Sequence, residues 1–159
     1  MSIQRVSHLC FRVSDLERSR RFYEDVLGFR PLYEIDTVGS PSTRLLGRTD
    51  IRLTGVWLER DGFTLQLQQL HVDGLAKPKR DAVEIGYSHV GIRVSDLDAV
   101  VERLVAAGAD VLTASRTENP RPDGLQSGAV FVNDPDGIRL ELIQIPGDPK
   151  GPITAPERD

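Results

Sequence analysis

The sequence has only one cysteine, Cys10, among its 159 residues. One thiol cannot close a disulfide within the chain, so the fold does not depend on a disulfide framework. This composition is typical of proteins from a reducing compartment. We therefore predict a cytoplasmic protein.

Two other absences exclude whole classes of partner. No stretch approaches the roughly 20 apolar residues that cross a bilayer, and the polar residues 1–5 are not followed by the apolar segment of a signal peptide. The 20 Lys and Arg residues are outnumbered by 24 Asp and Glu, for a net charge of -4. Such a charge balance does not provide the basic stripe that neutralises phosphates. We predict a protein that binds neither membranes nor nucleic acids.

A duplication organises what the sequence does contain. Residues 7–16 (SHLCFRVSDL) recur as residues 88–97 (SHVGIRVSDL), and residues 62–70 (GFTLQLQQL) are matched by residues 137–145 (GIRLELIQI). The two halves thus begin alike and end alike. Internal similarity of this kind indicates two copies of one structural module.

Local patterns predict the same elements in each half. Residues 6–13 and 88–94 alternate between apolar and polar, as strands do, and each run is followed by a predicted helix. Ser14 and Ser95 are predicted to cap these helices, which should end at Gly28 and Gly108. The remaining predicted strands are 29–36, 51–59 and 63–71 in the first half, and 109–115, 128–133 and 138–145 in the second.

These elements predict an α+β fold of two tandem βαβββ modules that form a concave mixed sheet. We place the first module at residues 1–72, a linker at 73–86, the second module at 87–146 and a disordered tail at 147–159, which is rich in proline and glycine. Trp57 and Phe131 are expected to fill the core.

The duplication also pairs four polar residues that are able to bind a metal. His8 and His89 occupy the same position of the first strand of each half, and Gln66 and Glu141 the same position of the last. An approximate twofold relation between the modules would bring all four to one divalent ion. A polar stripe facing solvent is the alternative reading. Gln68, on the same strand face as Gln66, is the alternative ligand.

The sequence resembles the vicinal oxygen chelate superfamily, which includes glyoxalase I, methylmalonyl-CoA epimerase, extradiol dioxygenases, fosfomycin-resistance enzymes and bleomycin-resistance proteins. The motifs that carry the resemblance are His8 with the FY and LGF motifs of the first helix, the LQL motif around Gln66, the SHV motif around His89, and DPDG followed by LEL around Glu141. Together they cover residues 5–146.

The resemblance implies a metal-dependent isomerase or lyase. Its ligands carry over onto His8, Gln66, His89 and Glu141, and the metal would be Zn, Ni, Co, Mn or Fe. The enzyme would move a proton next to a carbonyl, with Glu141 as the base or, by an approximate match to the epimerases, Asp50. A surface loop position is the other reading of Asp50.

The resemblance leaves substrate and assembly less defined. We expect a small oxygenated substrate such as a thioester or a glutathione adduct, and a homodimer. The alternatives are an extradiol-type Fe(II) dioxygenase, which would have no ligand at the position of Gln66, and a binding protein of the bleomycin-resistance type, which would need none of the metal ligands.

Overall fold

A computed structural model describes residues 4–39, 41–75, 85–118 and 126–149. Most of the predicted linker, at 76–84, and most of the predicted tail, at 150–159, lie outside the described residues. Of the two predicted modules, residues 1–3, 40 and 119–125 also lie outside the described residues.

Both modules have the predicted order of one strand, a helix and three further strands. The first consists of β1 (Leu9–Arg12), α1 (Leu16–Arg20), a π-helical segment (Arg21–Val26), β2 (Arg30–Val38), α2 (Pro41–Leu45), β3 (Arg52–Arg60) and β4 (Phe63–His71). The second consists of β5 (Val90–Val94), α3 (Leu97–Ala106), β6 (Asp110–Glu118), β7 (Gly128–Asn133) and β8 (Arg139–Gln144). The short helix α2 was not predicted, because five residues are too few to show helical periodicity.

Each module forms a four-stranded mixed sheet. The strand orders are β1-β4-β3-β2 and β5-β8-β7-β6, so the first and last strands of each module are neighbours. They run parallel, as β1 with β4 and β5 with β8, whereas the other neighbours are antiparallel. This topology is what allows the duplicated histidine and the duplicated Gln or Glu of each module to approach one another.

The two modules share one hydrophobic core. Apolar side chains from one face of each sheet and from α1, the π-helical segment and α3 form a single cluster. The sheets contribute Phe11, Val13, Val56, Leu58, Leu65, Leu67, Val130, Val132, Leu140 and Leu142. Since residues alternate between the two faces of a strand, the neighbours of these residues lie on the opposite sheet faces, away from the core.

The helix caps differ from the prediction by one residue. The Asp15 side chain accepts a hydrogen bond from the Arg18 backbone N–H, and Asp96 accepts one from that of Ala99. The predicted caps Ser14 and Ser95 are therefore wrong. Serine and aspartate are equally good N-caps, so a Ser-Asp pair does not reveal which residue begins the helix.

The helical segments end at the predicted glycines. Gly28 has φ +70° and Gly108 has φ +90°, a left-handed conformation that other residues rarely adopt. Here the chain leaves the helical segment and enters β2 or β6. No helix among the described residues is long and apolar enough to cross a membrane.

A buried polar network joins the turn before β8 to the first module. The Asp136 carboxylate accepts hydrogen bonds from the Ser14 backbone and hydroxyl, and Arg18 Nη2 lies 2.7 Å from its Oδ1. Asp134 accepts a hydrogen bond from the Tyr23 hydroxyl at 3.0 Å. Tyr23 is fully buried, and burial raises the pKa of its hydroxyl well above the ordinary value. These contacts fix one module against the other.

The two aspartates of this network have opposite pKa shifts. Burial raises the pKa of Asp134, and the hydrogen bonds it accepts only partly offset that effect. Burial also raises the pKa of Asp136, but the hydrogen bonds from Ser14 and the charge of Arg18 outweigh it, so the pKa lies below the ordinary value. Asp136 thus stays charged in the folded protein and stabilises it as an anion.

We predict that Asp136→Asn lowers the free energy of unfolding by about 2 to 3 kcal/mol at neutral pH, because it removes charge-assisted hydrogen bonds between the modules. The folded pKa of Asp136 is below its unfolded value, so its contribution is present above the unfolded pKa and is lost as the pH falls through the folded pKa. The difference between wild type and variant should therefore shrink below about pH 4. Urea unfolding followed by circular dichroism measures both effects.

The control is Asp98→Asn, which removes an exposed partner of Arg116 within the second module. We expect little change from it, because exposed ion pairs contribute little. Equal destabilisation by the two variants, or a difference that does not depend on pH, would contradict the role of Asp136.

Candidate metal centre

The outer face of the first sheet carries the polar residues of β1 and β4. Cys10 pairs with Gln66 and Arg12 with Gln68 in the parallel ladder, and His8 lies two residues before Cys10, on the same side. The leucines that flank Gln66 face the shared core. The alternation of β4 therefore turns its amides to the outer face, as predicted.

Gln66 lies beside an aromatic group. Trp57 pairs with Gln66 across the β3–β4 ladder, and the His8 ring meets the Trp57 ring edge-on at a centroid distance of 5.9 Å. On the other side, Tyr33 stacks on Trp57 at 4.4 Å. These rings leave Gln66 only 5% exposed.

The two glutamines of this face differ in their partners. Arg12 Nη2 donates a hydrogen bond of 2.8 Å to Gln68 Oε1. The Gln66 amide, in contrast, has no hydrogen-bond partner among the residues that the structure describes, although it is buried. The Gln66 oxygen is therefore free to bind a metal, whereas the Gln68 oxygen is already bound by Arg12, which favours Gln66 over Gln68 as the ligand.

The matching residues of the second module already touch one another. Gly91 and Phe131 both pair with Glu141, so Glu141 lies on the outer face of its sheet. His89 Nε2 lies 3.1 Å from Glu141 Oε2, and the His89 ring packs against the Phe131 ring at a centroid distance of 5.2 Å. Both side chains of the pair are partly exposed, with 33% and 26% of their surfaces accessible.

A serine orients each histidine in the same way. The Ser7 hydroxyl lies 3.0 Å from His8 Nδ1, and the Ser88 hydroxyl lies 3.0 Å from His89 Nδ1. A hydrogen bond at Nδ1 fixes the ring and leaves Nε2 as the nitrogen available to a metal. The duplication has thus preserved the serine together with the histidine.

The four predicted ligands lie in two pairs, one on each sheet, which we call half-centres. No group of three or more His, Cys, Asp or Glu able to hold a metal occurs among the described residues, which include His8, His89 and Glu141. The reason is the shared core: both sheets pack on it with one face, so the faces that carry the ligands point away from it. His8 with Gln66 and His89 with Glu141 are not brought together within one chain.

The donor set itself fits a divalent metal. It consists of two imidazole nitrogens, one amide oxygen and one carboxylate oxygen, a mixture suited to Zn, Ni, Co, Mn or Fe(II). Four protein donors are also compatible with a catalytic ion that binds further ligands. Each half-centre would supply one nitrogen and one oxygen of this set.

Asp50 is not brought to either half-centre by the chain. It lies exposed in the turn before β3. Trp57 pairs with Gln66, and Arg52 is the first residue of β3. Five residues separate Arg52 from Trp57, which corresponds to roughly 17 Å along the strand, and Asp50 precedes Arg52. The role of Asp50 as a base stays a prediction that the geometry of a single chain does not favour.

Two aromatic residues of this surface were not predicted from the sequence. Trp57 and Phe131 were expected in the core, but both are only partly buried and lie on the outer faces, beside Gln66 and Glu141. The alternation of residues along β3 would have predicted the position of Trp57. Its neighbours Val56 and Leu58 are buried and face the core, so Trp57 points to the outer face.

Comparisons with known proteins show the family to which the fold belongs. The model of the Glyoxalase/Bleomycin resistance protein/Dioxygenase superfamily matches residues 5–142. A probable lactoylglutathione lyase of Vibrio cholerae is 31% identical over 145 residues, which are 91% of this chain and 93% of that protein. A probable chloroplastic lactoylglutathione lyase of Arabidopsis thaliana is 29% identical over 96% of this chain, but the chain spans only 38% of that protein.

Among solved structures, a glyoxalase family protein from Bacillus cereus matches 91% of this chain and 95% of its own, with a TM-score of 0.75 and 17% identity. At that identity the match shows the fold.

We predict that Gln66→Ala weakens metal binding by at least about tenfold, because it removes an oxygen ligand, whereas Gln68→Ala leaves metal binding nearly unchanged. The two variants are matched in size, strand and sheet face. Titration of the metal-free protein with Zn or Ni by calorimetry measures both affinities. A larger loss in Gln68→Ala would show that the ligand is the other glutamine.

Proposed function

The chain belongs to the Glyoxalase/Bleomycin resistance protein/Dioxygenase superfamily, and on that premise we propose that it is a metal-dependent lyase acting on a glutathione hemithioacetal. The observation that carries the proposal is the contact of His89 with Glu141, together with the location of His8 beside Trp57, which pairs with Gln66, and a serine on each histidine. Together they supply four ligands of the types that the resemblance implies.

The relatives support a lyase over the other activities of the superfamily. Proteins named lactoylglutathione lyase or probable lactoylglutathione lyase are 30% and 31% identical to this chain and aligned over about nine-tenths of both chains. The buried Gln66 also favours a four-ligand centre, whereas the extradiol dioxygenases that the sequence resembles have no ligand at that position. Retention of all four ligand types argues against a binding protein without metal.

Each residue of the centre has a role in the proposed reaction. A divalent ion held there would act as a Lewis acid on adjacent substrate oxygens. Ser7 and Ser88 keep the two imidazoles in the orientation that exposes Nε2. Glu141, whose Oε2 lies beside His89 Nε2, would take a proton from the carbon next to the carbonyl and return it to the neighbouring carbon.

We further propose that two chains share each centre. Within one chain the ligand-bearing faces lie on the outer sides of both sheets, away from the shared core, so neither half-centre is complete. A homodimer in which the first module of one chain faces the second module of its partner unites four ligands. Such an arrangement produces two equivalent centres in each dimer.

We predict that the purified protein converts the hemithioacetal of methylglyoxal and glutathione to the lactoyl thioester, and that metal removal by a chelator abolishes this activity reversibly. Glu141→Gln should lower kcat by at least about 100-fold, as expected for loss of a general base. The ultraviolet absorbance of the thioester measures the rate, and elemental analysis gives the metal content.

The same preparations test the alternatives. Oxygen consumption on a catechol would indicate a dioxygenase, epimerisation of a branched acyl-CoA thioester an epimerase, and tight bleomycin binding without turnover a binding protein. Undiminished lyase activity of the metal-free protein or of Glu141→Gln would contradict the proposed mechanism.

Sharing of the centre predicts complementation between two inactive variants. One carries His8→Ala with Gln66→Ala, and the other His89→Ala with Glu141→Ala. After the two are unfolded together and refolded, the mixed dimers should contain one intact centre formed by the unmutated halves of both chains. We expect about half of the refolded dimers to be mixed, and lyase activity to appear at about one quarter of the wild-type value.

Each variant refolded alone is the control and should stay inactive. If the centres form within single chains, the mixture stays inactive as well, because each chain has lost half of its ligands. Analytical ultracentrifugation of the same samples reports the dimer independently.

A further inference from the structure

Among the described residues, three glycines lie within strands, and close backbone contacts explain two of them. A Cβ atom at Gly55 on β3 would lie 2.8 Å from the Leu67 carbonyl oxygen, and one at Gly128 on β7 would collide with the Thr117 carbonyl oxygen. Gly91, on β5, differs from both. Its φ lies outside the left-handed region, and a Cβ atom there would meet no described backbone atom within 4 Å other than those of its chain neighbours. Because glycine weakens a strand, the fold alone does not explain Gly91.

The missing side chain leaves a space beside Glu141. A Cβ atom at Gly91 would lie 3.9 Å from Glu141 Oε2 and 3.7 Å from Ile143 Cδ1. Gly91 pairs with Glu141 in the parallel ladder and is itself exposed, so no side chain among the described residues fills this volume. It opens on the outer face of the sheet, since Gly91 lies two residues from His89. We call the volume over Gly91, between Glu141 and Ile143, the Gly91 space.

The walls of the Gly91 space suit a carbon atom that carries an acidic hydrogen. One wall is the Glu141 carboxylate, and the other is the terminal methyl group of Ile143. His89 Nε2 already lies 3.1 Å from Glu141 Oε2, whereas the approach to that oxygen over Gly91 is open. A general base must lie within reach of the proton that it removes. A carbon in the Gly91 space contacts the carboxylate directly.

The first module has no such space. Cys10 is the counterpart of Gly91 in the matched runs SHLCF and SHVGI, and it pairs with Gln66 as Gly91 pairs with Glu141. The two modules form the same sheet, so a side chain at this position is compatible with the fold. The space is therefore present only beside the residue that we propose as the base.

We propose that the Gly91 space receives the two oxygen-bearing carbons of the substrate, between which Glu141 moves the proton. The inference rests on the proposed function, since it takes Glu141 as the base. Gly91 is a specificity-determining residue: its lack of a side chain admits these carbons to the carboxylate. A larger side chain at this position excludes the substrate but leaves all four proposed metal ligands in the chain.

Acetohydroxamate tests the proposal without turnover. It offers the metal two adjacent oxygens, and its carbonyl carbon and nitrogen take the places of the two oxygen-bearing carbons. Gly91→Val fills the Gly91 space with methyl groups, so we expect the metal-loaded variant to bind acetohydroxamate at least about tenfold more weakly than wild type does. Gly91→Ala adds only a Cβ at an ordinary contact distance from Oε2 and should have a smaller effect. Calorimetry measures these affinities.

Two further measurements separate an effect on the substrate from effects on the metal and the fold. The metal-free Gly91→Val protein should bind Zn or Ni as wild type does, because it keeps the proposed ligands. It should also resist urea at least as well, because valine favours strands more than glycine does. For the hemithioacetal, kcat/KM should fall at least as far as the affinity for acetohydroxamate.

The matched control is Cys10→Val, which places the same side chain at the corresponding position of the first module, where a side chain is already present. It should bind acetohydroxamate as wild type does. Undiminished binding by Gly91→Val, or an equal loss in Cys10→Val, overturns the proposal while wild-type metal content and lyase activity still support the centre. Loss of metal by Gly91→Val also overturns it, because the valine then acts on Glu141 and not on the substrate. A wild type that binds neither metal nor acetohydroxamate overturns the proposed centre and this inference with it.

Discussion

The whole structure depends on one shared hydrophobic core. Each sheet places one face on it, and the helical segments of both modules complete it. Because strand residues alternate, burial of Leu65, Leu67, Leu140 and Leu142 necessarily turns Gln66 and Glu141 to the opposite faces. The same packing that stabilises the chain therefore presents these two side chains on two outer surfaces, and the metal centre that we propose needs a second module facing each of them.

The polar network around Asp136 sets how the modules sit on that core. Apolar packing alone tolerates small shifts, whereas the hydrogen bonds that Asp136 accepts from Ser14 and Arg18, and that Asp134 accepts from Tyr23, require particular distances. The DPDG turn thus has a structural role besides its position before β8. Its two aspartates hold the end of one module against the helical segment of the other, so the orientation of the two ligand-bearing faces is defined.

The duplicated modules have diverged at several matched positions. The serine and histidine of each half are retained with the same contact, while the last strand offers an amide in one module and a carboxylate in the other. Arg12 and Arg93 are also duplicated, but Arg12 binds Gln68 and Arg93 binds the backbone carbonyls of residues 145–148. Equivalent residues in a symmetric fold therefore acquire separate functions through their local partners.

The sequence by itself determined the elements, the duplication and the sheet face of each ligand, because periodicity and internal similarity are local properties of the chain. It did not predict the caps at Asp15 and Asp96, since serine and aspartate cap equally well. Only the tertiary structure decided that the two ligand pairs lie apart and that Gln66, unlike Gln68, has no partner among the described residues. Those facts depend on how two sheets pack on one core and on which side chains meet across strands, and neither is encoded in the spacing of residues along the chain.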